Sequence, residues 1–87
     1  MPTVWIPALL RDLTGGCETV TVSGTTVRHV IEALEQRYPG IQKRLCDGDE
    51  LRRGMAVVVD TEVARLGLLQ PVSENSEIHF LPAIGGG

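Results

Sequence analysis

Apolar and polar residues alternate in two stretches near the start of the chain, Thr3 to Leu9 and Glu18 to Ser23. A period of two is typical of a strand with one buried face. The alternating apolar residues are Val4, Ile6 and Ala8 in the first stretch, and Val20 and Val22 in the second. The Thr-Gly-Gly sequence at residues 14–16 marks a turn between the two stretches. Together these segments predict an antiparallel hairpin.

The apolar spacing changes to three and four between residues 27 and 38. The residues on this spacing are Val27, Val30, Ile31, Leu34 and Tyr38. Such a spacing places them on one face of a helix. Thr26, or Thr25, is a suitable N-cap, and Pro39-Gly40 is a stop signal. The polar residues Arg28, Glu32, Glu35 and Gln36 are expected to face water.

The second half of the chain predicts shorter elements. Ile41 and Leu45 fit a short turn beneath the sheet, and Cys46–Glu50 is expected to be a polar loop. The continuous apolar run Met55–Val59 is typical of a strand covered on more than one side. Residues 61–77 are rich in turn formers and allow at most one very short strand.

A last strand is predicted from Glu77 to Ala83. Alternation places Ile78 and Phe80 on one of its faces. His79 and Leu81 then lie on the opposite face, away from the core.

The order strand, strand, helix, strand, irregular stretch, strand defines the expected fold class. A helix with one apolar face packs across a mixed sheet of four or five strands in a two-layer α+β domain. The first and last strands can lie parallel in the sheet centre, which is the order of the β-grasp, or ubiquitin-like, fold. We expect residues 1–82 to form this domain and residues 83–87 to form a flexible C-terminal glycine tail.

Composition and charge exclude several classes of function. A chain of 87 residues, 43% hydrophobic and 22% charged, is typical of one small globular domain. The net charge is −3, and only one Trp, one Tyr and one Phe are present, so a nucleic-acid-binding face is not expected. No signal peptide is recognisable, and the longest apolar run is too short to span a bilayer. These features predict a cytoplasmic protein that binds neither nucleic acid nor membrane.

The two cysteines and two histidines, Cys17, Cys46, His29 and His79, could together supply four metal ligands. Their spacing does not match a zinc site, and two cysteines are too few for a disulfide framework. Small, partly buried thiols are the favoured interpretation. We therefore expect no metal site.

The end of the chain, Leu81–Gly87, reads Leu-Pro-Ala-Ile-Gly-Gly-Gly. Together with Ile6–Gly16 (IPALLRDLTGG) and Val30–Leu45 (VIEALEQRYPGIQKRL), it resembles the ubiquitin-like sulfur carriers of the MoaD and ThiS group. The resemblance covers essentially the whole chain. It is strongest to those members that carry sulfur for cysteine synthesis in actinobacteria.

The resemblance implies a carrier protein and not an enzyme. A partner of the ubiquitin-activating type would adenylate the carboxylate of Gly87 with ATP, and a sulfur donor would then displace AMP to leave a thiocarboxylate. A second enzyme, a synthase, would accept the sulfur for biosynthesis of cysteine, a cofactor or another metabolite. The carrier binds no cofactor of its own and is expected to be a monomer when free. Gly85 and Gly86 lack Cβ atoms and can thread a narrow channel in the partner.

The partner surface is expected beside this tail, at His79, Leu81, Pro82 and Ile84. Apolar residues next to a reactive tail are suited to an interface. The tail differs from the usual Gly-Gly ending of the group because Gly85 adds a third glycine.

Two other functions are compatible with the sequence. A protein modifier of the same fold would conjugate its activated glycine to lysines of target proteins. A simple interaction module would use the fold without any chemistry at the tail, because fold alone does not determine function. The identity of the sulfur acceptor stays open between cysteine precursors, molybdopterin, thiazole and other sulfur-containing metabolites.

Overall fold

A computed structural model describes residues 1–82 of the chain. Its main sheet has five strands: β1 Thr3–Trp5, β2 Thr19–Thr21, β5 Met55–Val59, β6 Glu62–Val63 and β7 Glu77–Pro82. Their order in the sheet is β2-β1-β7-β5-β6, and the two remaining strands form a separate pair. The strands β1 and β7 are parallel, and the other neighbours are antiparallel. This confirms the predicted mixed sheet with the first and last strands side by side.

One main helix, α1 (Val27–Arg37), supplies the second layer of the fold. The hydroxyl of its N-cap, Thr26, accepts a hydrogen bond from the His29 amide, as the sequence predicts. Val27, Val30, Ile31 and Leu34 are all buried in the core. The same core contains Val4, Val57, Ile78 and Phe80 from the sheet. The helix therefore packs across the sheet through its predicted apolar face.

The chain passes so close to α1 at Gly24 that a side chain at this position would not fit. A Cβ atom at Gly24 would lie 2.8 Å from Cγ2 of Val30 and 2.9 Å from its backbone nitrogen. The close approach of the chain to the helix explains the glycine at this position.

The first strand is shorter than the predicted stretch Thr3 to Leu9, because β1 ends at Trp5. Ala8–Leu10 instead form a short 3-10 helix, in which Ala8 is exposed and Leu10 is buried. Pro7 lies between the two elements and lacks an amide proton for the strand ladder. The predicted turn after it is confirmed, with positive φ angles at Gly15 and Gly16.

The prediction of a polar loop at Cys46–Glu50 is also wrong. This segment takes part in a small antiparallel pair of strands, β3 (Cys46–Asp47) and β4 (Glu50–Leu51). The preceding helix α2 (Ile41–Leu45) buries Ile41 and Leu45, as expected for a turn beneath the sheet. A second 3-10 helix (Gly67–Leu69) lies in the turn-rich segment before β7.

Among the helices of residues 1–82, none has the length and apolar character that a membrane span requires.

Candidate functional site

The last strand leads the chain out of the middle of the sheet. β7 lies between β1 and β5, and its final residue, Pro82, pairs with Met55 at the start of β5. The residues that follow Pro82 include Ile84, Gly85, Gly86 and Gly87, and these predicted site residues lie outside the described part of the chain. The predicted boundary between domain and tail stays a prediction. The base of the tail is paired with β5 through Pro82, whereas the ladder between β7 and β1 ends at His79.

The two faces of β7 differ as the alternation predicts. Ile78 and Phe80 are buried in the core, whereas His79 is half-buried and Leu81 is 46% exposed. His79 and Leu81 thus lie on the sheet face opposite α1. Of Pro82, only the backbone placement in β7 is described.

A tryptophan from β1 packs against His79 on this outer face. Trp5 and His79 are register partners in the parallel ladder, and their rings stack with centroids 5.2 Å apart and planes 9° apart. The indole Nε1 of Trp5 also donates a hydrogen bond to Oε1 of Glu77 at 3.2 Å. These contacts hold a flat aromatic surface in place while Trp5 is still 40% exposed.

An apolar patch extends from this aromatic pair towards the tail. It consists of Trp5, Leu9, His79 and Leu81, which line one shallow groove. Leu9 is 84% exposed, because the 3-10 helix turns its neighbour Leu10 into the core. Exposed leucine and tryptophan side chains at one place are typical of a surface that binds another protein.

Sequence reasoning identified two of the four residues of the apolar patch. It missed Trp5 and Leu9. Trp5 was detectable, because it lies out of phase with the buried pair Val4 and Ile6. Leu9 was not, because its exposure depends on the change from strand to 3-10 helix after Pro7.

The cysteines and histidines do not come together. Within residues 1–82, no three His, Cys, Asp or Glu side chains are grouped so as to hold a metal ion. Cys17 is exposed, and Cys46 is buried. Burial raises the pKa of the Cys46 thiol, although the nearby Arg28 charge acts in the opposite direction. A raised pKa disfavours the thiolate, so Cys46 is poorly suited to act as a nucleophile.

Comparison with known proteins identifies the family to which the chain belongs. The model of the ThiS family matches residues 4–87, and the chain belongs to this family. It is a sulfur carrier protein of the ThiS type and not a catalyst, as predicted from the sequence.

Among individual relatives, the chain is similar to the sulfur carrier protein CysO of Mycobacterium tuberculosis. The two are 39% identical over 90 residues, which cover 98% of this chain and 97% of the relative. A chain in the crystal structure of the Amycolatopsis orientalis BexX/CysO complex matches with a TM-score of 0.91 and 38% identity, with both chains covered in full. These similarities confirm the β-grasp fold and the resemblance to carriers of the CysO type.

The solution structure of small archaeal modifier protein 1 from Methanosarcina acetivorans is also similar. It matches with a TM-score of 0.79 and 26% identity, covering 99% of this chain and 95% of that one. A protein whose name describes a modifier therefore shares the same architecture.

Proposed function

We propose that the carboxylate of Gly87 is the working group of this carrier. An ATP-dependent partner of the ubiquitin-activating type adenylates it: a carboxylate oxygen attacks the α-phosphorus of ATP, and pyrophosphate leaves. A hydrosulfide donor then attacks the carbonyl carbon of the acyl adenylate, and AMP leaves with the electrons of the broken C–O bond. The product is a thiocarboxylate, which a second enzyme uses as its sulfur source.

The activation is needed because a carboxylate is a poor electrophile. Conversion to a mixed anhydride divides one difficult substitution into two easier ones. Nothing in this sequence of steps requires an acid, a base or a metal from the carrier. ATP belongs to the partner, and the carrier contributes only the reacting group and the surface that places it.

The observation that carries the proposal is the family match, which extends through all three glycines to Gly87. Five residues follow Pro82, and an extended chain of that length spans about 17 Å. That distance is enough for the carboxylate to enter an active site while the β-grasp domain stays at the surface of the partner. Glycines suit such a passage because they carry no side chains.

The apolar patch is the surface that we assign to this partner. Trp5, Leu9, His79 and Leu81 lie beside the base of the tail, so a partner bound to them receives the tail directly. The CysO chain of Amycolatopsis orientalis occurs in a complex with BexX, which supports a protein partner for carriers of this kind.

A sulfur-accepting synthase is the second partner in the proposal. The cytoplasmic location expected from the sequence stays a prediction.

A deletion variant tests the role of the tail. Removal of Gly86 and Gly87 is expected to leave the thermal midpoint almost unchanged, because residues 1–82 contain the described core. ATP–pyrophosphate exchange with an activating enzyme of the same organism is expected to be lost. Ile31→Asp is the contrasting variant, since it places a charge at a residue that is 1% exposed and is expected to unfold the domain. Full exchange by the deletion variant would contradict the proposal.

Conjugation to proteins is the second candidate function. The similarity to small archaeal modifier protein 1 favours it, and the chemistry is the same up to the acyl adenylate. The two candidates differ in the nucleophile that follows, which is sulfur for a carrier and a target lysine for a modifier. Carrier-sized adducts on other proteins, detected by immunoblot of cell extract and lost on deletion of Gly86 and Gly87, would establish conjugation.

A further inference from the structure

Two arginines lie in the turn next to the base of the tail. Arg52 and Arg53 connect β4 to β5, and the carbonyl of Arg52 accepts a hydrogen bond of 3.0 Å from the Met55 amide. Met55 is the register partner of Pro82, the last described residue of β7. Gly54, with a φ angle of +86°, completes the tight turn. The turn therefore carries two positive charges to the end of the sheet from which the tail departs.

A third arginine reaches the same end from α2. Nη2 of Arg44 donates a hydrogen bond of 3.4 Å to the carbonyl of Leu9, a residue of the apolar patch. Arg52 is also anchored, because its Nη1 donates to the carbonyl of Lys43 at 2.9 Å. A guanidinium group has five N–H donors, so each of these two contacts leaves most donors available. We call Arg44, Arg52 and Arg53 the tail-end arginine cluster.

The cluster has no acidic partners within the described part of the chain. The ion pairs between side chains of residues 1–82 use Arg11 and Arg28. All three residues of the cluster are exposed. The chain has 11 acidic and eight basic residues. Three of the eight basic residues therefore belong to the two segments, the end of α2 and the β4–β5 turn, that meet through the hydrogen bond from the Arg52 amide to the Leu45 carbonyl.

We propose that the tail-end arginine cluster binds an acidic surface at the entrance to the activating partner's tail channel. The inference rests on the proposed function, since it concerns the partner that receives the tail. The hydrogen bond from Arg44 to Leu9 makes the cluster continuous with the apolar patch. Complementary charge at the rim of an interface accelerates association and fixes orientation. The cluster thus aligns the tail with the channel while the apolar patch supplies the contact area.

The test uses two exposed arginines that are matched except in position. Arg53 and Arg65 are both exposed, and neither side chain makes a hydrogen bond or ion pair with residues 1–82. Arg65, however, follows the edge strand β6, away from the tail base. Arg53→Glu and Arg65→Glu change the net charge equally. Both are compared with the unchanged chain in steady-state adenylation, using an activating enzyme that already thiocarboxylates the unchanged chain.

Arg53→Glu is expected to raise the KM for the carrier about fivefold with kcat unchanged, as for loss of a charge pair at an interface. Arg65→Glu is expected to leave the KM within about twofold. Rising salt should raise the KM of the unchanged chain more steeply than that of Arg53→Glu.

If the two variants raised the KM for the carrier equally, net charge and not the position of the arginine would govern binding, and the inference would be overturned. A raised KM for ATP in place of the KM for the carrier would overturn it in favour of a nucleotide contact. Both outcomes leave the proposed thiocarboxylate chemistry intact, because the unchanged chain is still activated.

Discussion

The indole of Trp5 stacks on the imidazole of His79, with ring centroids 5.2 Å apart and an interplanar angle of 9°. The pair exists because β1 and β7 run parallel and bring these two residues into register. Trp5 is the only tryptophan of the chain, and it remains 40% exposed. An aromatic surface held rigid at the base of the tail is suited to be the anchor of a partner interface.

Trp5→Ala tests this anchor. Affinity for the activating partner, measured by isothermal titration calorimetry, is expected to fall about tenfold, because exposed aromatic anchors dominate interface energies. The domain should stay folded but lose more unfolding free energy than the about 1 kcal/mol of one aromatic pair, because part of the indole is also buried. Leu69→Ala is the control, since Leu69 is 68% exposed on the 3-10 helix that contacts α1. Equal loss of affinity in both variants would remove Trp5 from the interface.

A second prediction concerns Glu35, which was expected to face water. Its carboxylate instead caps the start of α2: Oε1 and Oε2 accept the Gly40 amide at 3.1 and 3.0 Å, and Oε1 accepts the Gln42 amide at 2.9 Å. These hydrogen bonds, first from Gln42 and then from Gly40, lower the pKa of Glu35. The stabilisation is therefore present above the ordinary glutamate pKa, and it is lost as the pH falls through the lowered folded-state pKa.

Glu35→Gln should accordingly lower the thermal midpoint at neutral pH, and the difference from the unchanged chain should shrink in acid. Thermal unfolding followed by circular dichroism across this pH range measures both effects. Glu74→Gln is the control, because Glu74 is exposed and its carboxylate makes no hydrogen bond or ion pair within residues 1–82. A midpoint difference that stayed constant down to acidic pH would show that the carboxylate charge at Glu35 is unimportant.

The cysteines provide a third prediction. The Cys17→Ser, Cys46→Ser double variant is expected to fold and to accept sulfur at Gly87. Cys46 is buried with a raised thiol pKa, and Cys17 is exposed on a different segment. A hydroxyl at the buried position costs about 1–3 kcal/mol, so Cys46→Ala serves as the variant with less effect on folding. A folded variant that is adenylated normally but never gains sulfur would identify a cysteine relay.

Long elements of this fold were predictable from the sequence, whereas very short ones were not. The apolar periodicity of α1 and of β7 was long enough to predict which faces are buried, and Thr26 was recognisable as a cap. The pair β3–β4 has strands of two residues each, too short for any periodicity to appear. The role of Glu35 depends on the left-handed turn at Gly40 (φ +102°), which brings two amides towards the carboxylate. Three-dimensional placement likewise brings the end of α2 to the β4–β5 turn, where the Arg52 amide donates to the Leu45 carbonyl.

Transfer of sulfur to Gly87 can be observed by intact-protein mass spectrometry. The unchanged chain is incubated with an activating enzyme of the same organism, ATP and sulfide, and a parallel reaction omits ATP. We expect an ATP-dependent mass increase of one oxygen-to-sulfur exchange, assigned by fragmentation to Gly87. An adduct located on Cys17 or Cys46 with an unmodified Gly87 would contradict it, as would an unmodified chain in an assay where the enzyme activates a known carrier.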